Sequence, residues 1–217
     1  MLDTHFPRPP GDIGNPASFG FPVLYERVGG ASVQRAVREH ASGLLEPFVE
    51  AGQRLVQRGA IGIGTSCGFL VLHQRRLAEA LPVPVASSSL LQVAPAQAML
   101  PAGKRCGVIT FDAAALSPRH LACAGAPPDT PVEGMPAAGA LRRAIDGDEA
   151  ELDTDAVRRE LVQASRKLLV REPNIGALVL ECTNLPPYSG ALRAELNLPV
   201  FDSCTLLDWL WQACLRK

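Results

Sequence analysis

The chain has 217 residues, with 21 basic against 22 acidic side chains and a formal net charge of −1. Near neutrality removes the electrostatic case for nucleic acid or an anionic membrane as main partner. With 47% hydrophobic and 20% charged residues the composition is globular rather than disordered, and six cysteines are too few for a disulfide scaffold. No apolar run reaches the ~18–20 residues of a membrane span. Met1 to Phe6 carries neither the basic nor the apolar region of a secretory signal. A cytoplasmic protein with reduced thiols is expected.

Residues 7–22 hold Pro7, Pro9, Pro10, Gly11, Gly14, Pro16, Gly20 and Pro22. That composition predicts a loop of about sixteen residues, a length usually reserved for function or disorder. A helical pattern runs from Ser32 to about Arg58, with Pro47 as a kink or join and Gly59 as its stop. Residues 60–66 read as a buried strand, 68–80 as a helix, 83–86 as a strand, and 87–99 as a further helix. Gly107 to Phe111 is a strand. Residues 124–151 lack periodicity apart from a short helix near 138–145. Asp153-Thr154 opens a long helix to Arg171. Residues 175–181 form a strand, 189–196 a helix, 199–201 a strand and 203–215 a closing helix. Strands alternating with helices imply parallel sheets and an α/β class.

An internal repeat underlies this order. Cys67 and Cys182 are 115 residues apart, and so are Pro84 and Pro199. At the same spacing Leu70 meets Leu185, Leu77 meets Leu192 and Ser88 meets Ser203, with no gap. The expected architecture is two similar Rossmann-like, flavodoxin-like halves related by a pseudo-twofold axis. The first spans 1–101, with the closing helix 203–217 exchanged onto it, and the second spans 102–202. Asp3 and Asp112 end the first strand of each half, at a spacing of 109. Only Met1 and Leu2 precede Asp3, so this strand is expected to be truncated or the natural chain to start earlier.

The repeat places Cys67 and Cys182 alike, each after a strand and before a helix. Carboxyl ends of parallel strands form the ligand crevice. A helix start beside each sulfur offers free N–H groups that depress a thiol pKa and bind a carboxylate. Two thiols facing each other across a shared cleft suit inversion at a carbon: one removes the Cα proton and the other returns a proton from the far side. Thr65, Ser66, Thr183 and Asn184 flank the cysteines and can donate to the substrate carboxylate. No Cys-x-x-Cys pair occurs, the four histidines lack zinc-finger spacing, and no metal or cofactor is expected.

Thr65-Ser66-Cys67-Gly68 and Glu181-Cys182-Thr183-Asn184, with the opening Leu2-Asp3-Thr4-His5-Phe6-Pro7-Arg8-Pro9-Pro10-Gly11-Asp12-Ile13-Gly14-Asn15-Pro16, resemble the aspartate/glutamate racemase superfamily. The resemblance covers essentially the whole chain. It implies two α/β domains with the active site between them and a cofactor-independent amino-acid racemase or epimerase. Cys67 and Cys182 would be the catalytic thiols. Asp3 stands where glutamate racemases place an acidic helper, and Gly68, Arg8 and Asn15 join the substrate contacts. Asn184 stands where related enzymes carry His or Glu, and an amide cannot act as a base. Hydantoin racemase, maleate isomerase and arylmalonate decarboxylase are relatives with other chemistry, and retention of both cysteines argues against the decarboxylase. The implied partner is a small carboxylate, an amino acid or derivative. The sequence leaves the oligomeric state open; many enzymes of the superfamily form homodimers, and the closing helix Leu206–Leu215 has apolar surface enough to take part.

Two readings of other classes compete. Gly64-Thr65-Ser66-Cys67-Gly68 matches the G-x-S-x-G nucleophile elbow, which would make Ser66, Asp112 and His120 a hydrolase triad. A two-lobed small-acid binding protein without catalysis would need no activated thiol.

Overall fold

The computed structural model describes residues 1–215. Its elements are α1 (Leu45–Gln57), β1 (Ile63–Gly64), α2 (Gln74–Ala80), β2 (Val85–Ala86), α3 (Val93–Met99), β3 (Arg105–Thr110), α4 (Pro118–Cys123), β4 (Val132–Gly134), α5 (Ala140–Asp146), α6 (Thr154–Arg171), β5 (Ile175–Leu180), α7 (Ser189–Leu196), β6 (Val200–Phe201) and α8 (Ser203–Cys214). Tight 3-10 turns at Gly68–His73, Ser89–Gln92 and Pro186–Tyr188 lead into α2, α3 and α7. Among the described residues no helix is long and apolar enough to cross a membrane.

Every strand pair is parallel. One sheet has the order β4-β3-β5-β6 and the other pairs β1 with β2. β3 and β5 are buried along nearly their whole length, as a central parallel strand covered on both faces must be. Helix α6 lays Val157, Leu161, Ala164 and Leu168 against this sheet at helical spacing. Its amino end is capped by Asp153, whose side chain accepts the Ala156 N–H at 2.9 Å.

The 115-residue repeat is written into the hydrogen bonds. Ile63 pairs with Val85 and Gly64 with Ala86; 115 residues on, Leu178 pairs with Val200 and Val179 with Phe201. The Ile63 N–H donates to the Pro84 carbonyl and the Leu178 N–H to the Pro199 carbonyl, both at 2.9 Å. Leu70 donates to the Cys67 carbonyl and Leu185 to the Cys182 carbonyl, both at 3.1 Å. Helix α8 follows the second half yet packs on the first. Leu207 and Leu210 lie over Gly64 and Gly62, and Gln92 Nε2 donates to the Asp202 carbonyl at 2.8 Å.

Three expectations change. The helix read from Ser32 to Arg58 is broken, because His40, Ala41 and Gly43 adopt positive φ and cannot continue a right-handed helix. Pro47 lies in the first turn of α1, where its missing N–H costs nothing. The segment 124–151 contains β4, which its surrounding prolines concealed. The strand read over 60–66 shrinks to Ile63–Gly64, which among the described residues pairs with β2. In the second half β3 lies beside β5. Met1 is held by the Val28 N–H to its carbonyl at 2.9 Å, as the Met135 N–H holds the Thr110 carbonyl. An apolar groove of about 460 Å³ is walled by Val23, Leu24, Ile61, Leu207, Leu210 and Trp211 among others.

Candidate active site

Cys67 and Cys182 line one small cavity. Each follows its strand into a 3-10 turn, so the repeat brings both thiols to the carboxyl ends of the two sheets. They are 8% and 6% exposed. The cavity measures about 30 Å³, room for one or two water molecules. Its polar wall is Arg8, Ser66, Glu181, Thr183 and Asn184; its apolar wall includes Phe6, Phe69 and Phe111. The larger groove meets this cavity at Ser66 and holds neither thiol.

The thiols are not activated in this state, contrary to the sequence expectation. Burial pushes Cys67 up to about 12, the Glu181 carboxylate adds to the rise, and the Phe69 and Leu70 N–H groups with Arg8 only partly offset it. Cys182 is raised well above the usual thiol value, again by burial first and Glu181 second. The turns after the cysteines are short and supply few aligned dipoles, so desolvation wins.

Glu181 is the functional group that the sequence reading passed over. It is fully buried. Its Oε2 accepts the Thr110 hydroxyl at 2.7 Å, and its Oε1 has no hydrogen-bond partner among the described residues. Burial lifts its pKa to about 7, against the Thr110 hydroxyl and Phe111 N–H, which favour the anion. A Cβ on Gly68 would sit 2.2 Å from Oε1, so only glycine admits the carboxyl here. A glutamate directly before Cys182 was the available signal; its position at the end of a buried strand made it internal.

The proline-rich loop roofs the cavity. Asp12, also unmarked at first, is almost completely buried and joins three anchors. It accepts Arg8 Nη1 at 3.0 Å, the Gly14 N–H at 2.7 Å and Asn184 Nδ2 at 2.6 Å. Arg8 also donates to Thr4 Oγ1 at 2.9 Å and lies 4.4 Å from the Phe6 ring centre. Gly11, at φ +100°, presses on Pro187, where a Cβ would come within 2.6 Å. Asp148 holds the start of the loop through the His5 and Phe6 N–H groups at 2.6 and 2.9 Å.

Residues 87–210 match the model of the Asp/Glu/Hydantoin racemase family. The chain belongs to that family. It is 28% identical to a dimethylsulfoniopropionate lyase of Durusdinium sp. clade D, over 96% of this chain and 71% of that protein. It is 31% identical to dimethylsulfoniopropionate lyase 6 of Emiliania huxleyi, over 94% of this chain but only 56% of that longer protein. Unliganded arylmalonate decarboxylase has the same fold, with a TM-score of 0.62, 17% identity, and coverage of 98% and 90% of the two chains.

Within this racemase-family site the remaining residues named from sequence divide. Ser66, Gly68, Thr183, Asn184 and Arg8 reach the cavity wall. Asn184 Oδ1 faces Cys182 Sγ at 3.6 Å while its amide holds Asp12, so the amide that replaces an acid or base serves as a tether. Thr183 Oγ1 ties the halves by donating to the Ser66 carbonyl at 2.8 Å. Thr65 turns away, bonding the Ser87 and Cys67 carbonyls at 2.7 and 3.1 Å. Asp3 lies outside the cavity lining: it accepts the Gly30 N–H at 3.0 Å and pairs with Arg27 at 3.6 Å. Asn15 also lies outside it, capping the turn at Pro16–Ser18 and donating to the Arg8 carbonyl at 2.7 Å.

The hydrolase triad does not assemble. Ser66 Oγ accepts the Leu2 N–H at 2.9 Å. Asp112 is clamped by Arg38 and Arg142. His120 bonds Ser117 through Nδ1 and packs edge-on to Phe69 at 5.2 Å; burial, with His40 next, holds it down at about 4. Among the described residues there is no cluster of three or more His, Cys, Asp or Glu side chains that could hold a metal ion.

Proposed function

We propose that the chain is an acid/base enzyme that removes the proton α to a carboxylate with Cys67 or Cys182. The observation that carries this reading is that thiols from mirrored positions share one cavity with a partly buried arginine, a buried carboxyl and three phenylalanine side chains. The thiolate takes the α proton, the S–H bond forms, and the C–H electron pair passes to a carbanion that the neighbouring donors stabilise.

Elimination is the outcome favoured here. In a β-sulfonio carboxylate the carbanion pair forms a C=C bond and the C–S pair leaves with the sulfide, giving an unsaturated acid and neutral dimethyl sulfide. Support comes from similarity along nearly the whole chain to dimethylsulfoniopropionate lyases. The apolar wall of Phe6, Phe69 and Phe111 adds to it, since it excludes water from a reacting carbanion and its departing neutral sulfide. Racemisation or epimerisation of an amino acid is the second reading. It is supported by the second thiol, which elimination does not need and inversion does. A substrate of either kind exceeds a 30 Å³ cavity, so admission requires the 5–22 loop to lift.

The test is proton NMR in deuterated water with dimethylsulfoniopropionate, aspartate, glutamate and hydantoins, on the native chain and on Cys67→Ser and Cys182→Ser. Formation of acrylate that needs one thiol supports elimination. Cα exchange with inversion that needs both supports racemisation. Turnover untouched by both substitutions refutes the thiol chemistry.

A further inference from the structure

We propose that Glu181 holds the proton for the two thiols: its carboxylate takes the proton that a cysteine must lose before that cysteine can act as base. The inference deepens the two-thiol reading and rests on it. Oε1 is buried and unpartnered among the described residues, and Glu181 is part of the wall of the cavity that both cysteines line. The Thr110 hydroxyl and the Phe111 N–H hold one side of the carboxylate, and the glycine at 68 leaves Oε1 room. An orphaned oxygen in a cavity that admits a water has a route to a proton through that water.

The transfer balances. An S–H bond breaks, an O–H bond forms, and the negative charge moves from carboxylate to sulfur with no change in net charge. The transfer also removes the carboxylate repulsion that lifts both thiols. Cys67, Cys182 and Glu181 therefore titrate as one cluster, losing its first proton near the Glu181 value of about 7. The other charged groups around it are already paired. Arg8 is held by Asp12 on the loop side, and Asp112 by Arg38 and Arg142 beyond Phe111 at the β3 end. The turns at Gly68 and Ser89 that pack on Glu181 present no charged side chain to it. Glu181 acts through the thiols and is a positioning residue for the chemistry.

The experiment is the pH profile of iodoacetamide alkylation at Cys67 and Cys182, read by peptide mass spectrometry. It needs no substrate and so stands apart from the turnover tests above. In the native chain alkylation rises with a midpoint near 7 and then levels. In Glu181→Gln the level is lost and the midpoint moves above 9, the ordinary thiol value. Glu181→Asp restores a midpoint near neutrality. Thr110→Val, which removes one stabilising hydrogen bond from the anion, moves the midpoint upward by less and covers the case in which the Gln variant fails to fold. Profiles that coincide in the folded variants overturn the proposal, whatever substrate the enzyme takes. If a substrate is turned over, its kcat/KM profile shifts in step.

Discussion

Glu181→Gln should flatten part of the pH dependence of stability, and the size follows from the site. An ordinary glutamate titrates near 4.5, and the buried one near 7. The native state therefore binds more protons than the unfolded chain between those values, and stability falls as pH rises through that window. The stabilisation is fully present below 4.5 and is lost above 7. At about 1.4 kcal/mol per pH unit, the native chain loses roughly 3 kcal/mol from pH 4.5 to 8 through this one group. Glutamine has the same shape and no proton to lose. The difference between the two proteins, taken at both pH values, cancels packing effects and the titrating groups not coupled to Glu181; the coupled thiols stay protonated over most of this range. Urea unfolding at pH 4.5 and 8 measures it. The Gln variant should gain about 3 kcal/mol on the native chain over that interval, roughly 1 M or more in midpoint. Parallel curves would refute the claim that burial holds this carboxyl near neutrality.

Gly68→Ala places a methyl within 2.2 Å of Glu181 Oε1 and 2.6 Å of its carbonyl, so it should cost about 1–3 kcal/mol or more and abolish turnover, measured by thermal melt and NMR assay. Asp12→Ala removes the charged anchor of the roof and leaves Arg8 unpaired; amide exchange over residues 6–15 should accelerate by tenfold or more while β3 and β5 stay protected.

The fold was legible because its two halves use the same spacing. The offset between Cys67 and Cys182 is also the offset between the β1–β2 and β5–β6 registers, so a sequence alignment fixed a three-dimensional relation. Helices α6, α7 and α8 were legible through caps at Asp153 and Asp202 and through apolar spacing. β4 was not, because a three-residue strand takes its pairing from β3 and carries no periodicity of its own. Both cysteines, four of their flanking residues and Arg8 reached the cavity wall. Asp3 did not, since its carboxylate is drawn to the Gly30 N–H and Arg27. Glu181 and Asp12 escaped notice for one reason. Their importance lies in what surrounds them when buried, and a lone acidic residue in a sequence reads as solvated.

The raised thiols bear on substrate choice. Cys67 must fall from about 12 toward neutrality to act, and a second negative charge in the cavity works against that. A cation about 4 Å from the sulfur contributes about 4 kcal/mol at an effective dielectric near 20, which is close to three pH units. That matches the rise from 9 to about 12. A substrate with a positive group near the reacting carbon therefore adds to the activation proposed for Glu181 by stabilising the thiolate, whereas a dicarboxylate works against it. A β-sulfonium and an α-ammonium both qualify; malonates and maleate do not. The comparison to make is dimethylsulfoniopropionate against 4-methylpentanoate, its uncharged carbon analogue. On the proposed chemistry, α-hydrogen exchange in deuterated water should be at least ~10³-fold faster for the sulfonium compound. Part of that ratio is the intrinsic acidity of the carbon, so the same pair is run in buffer alone and the enzyme's ratio taken over it. A normalised ratio near one would mean that the thiols are activated without help from substrate charge.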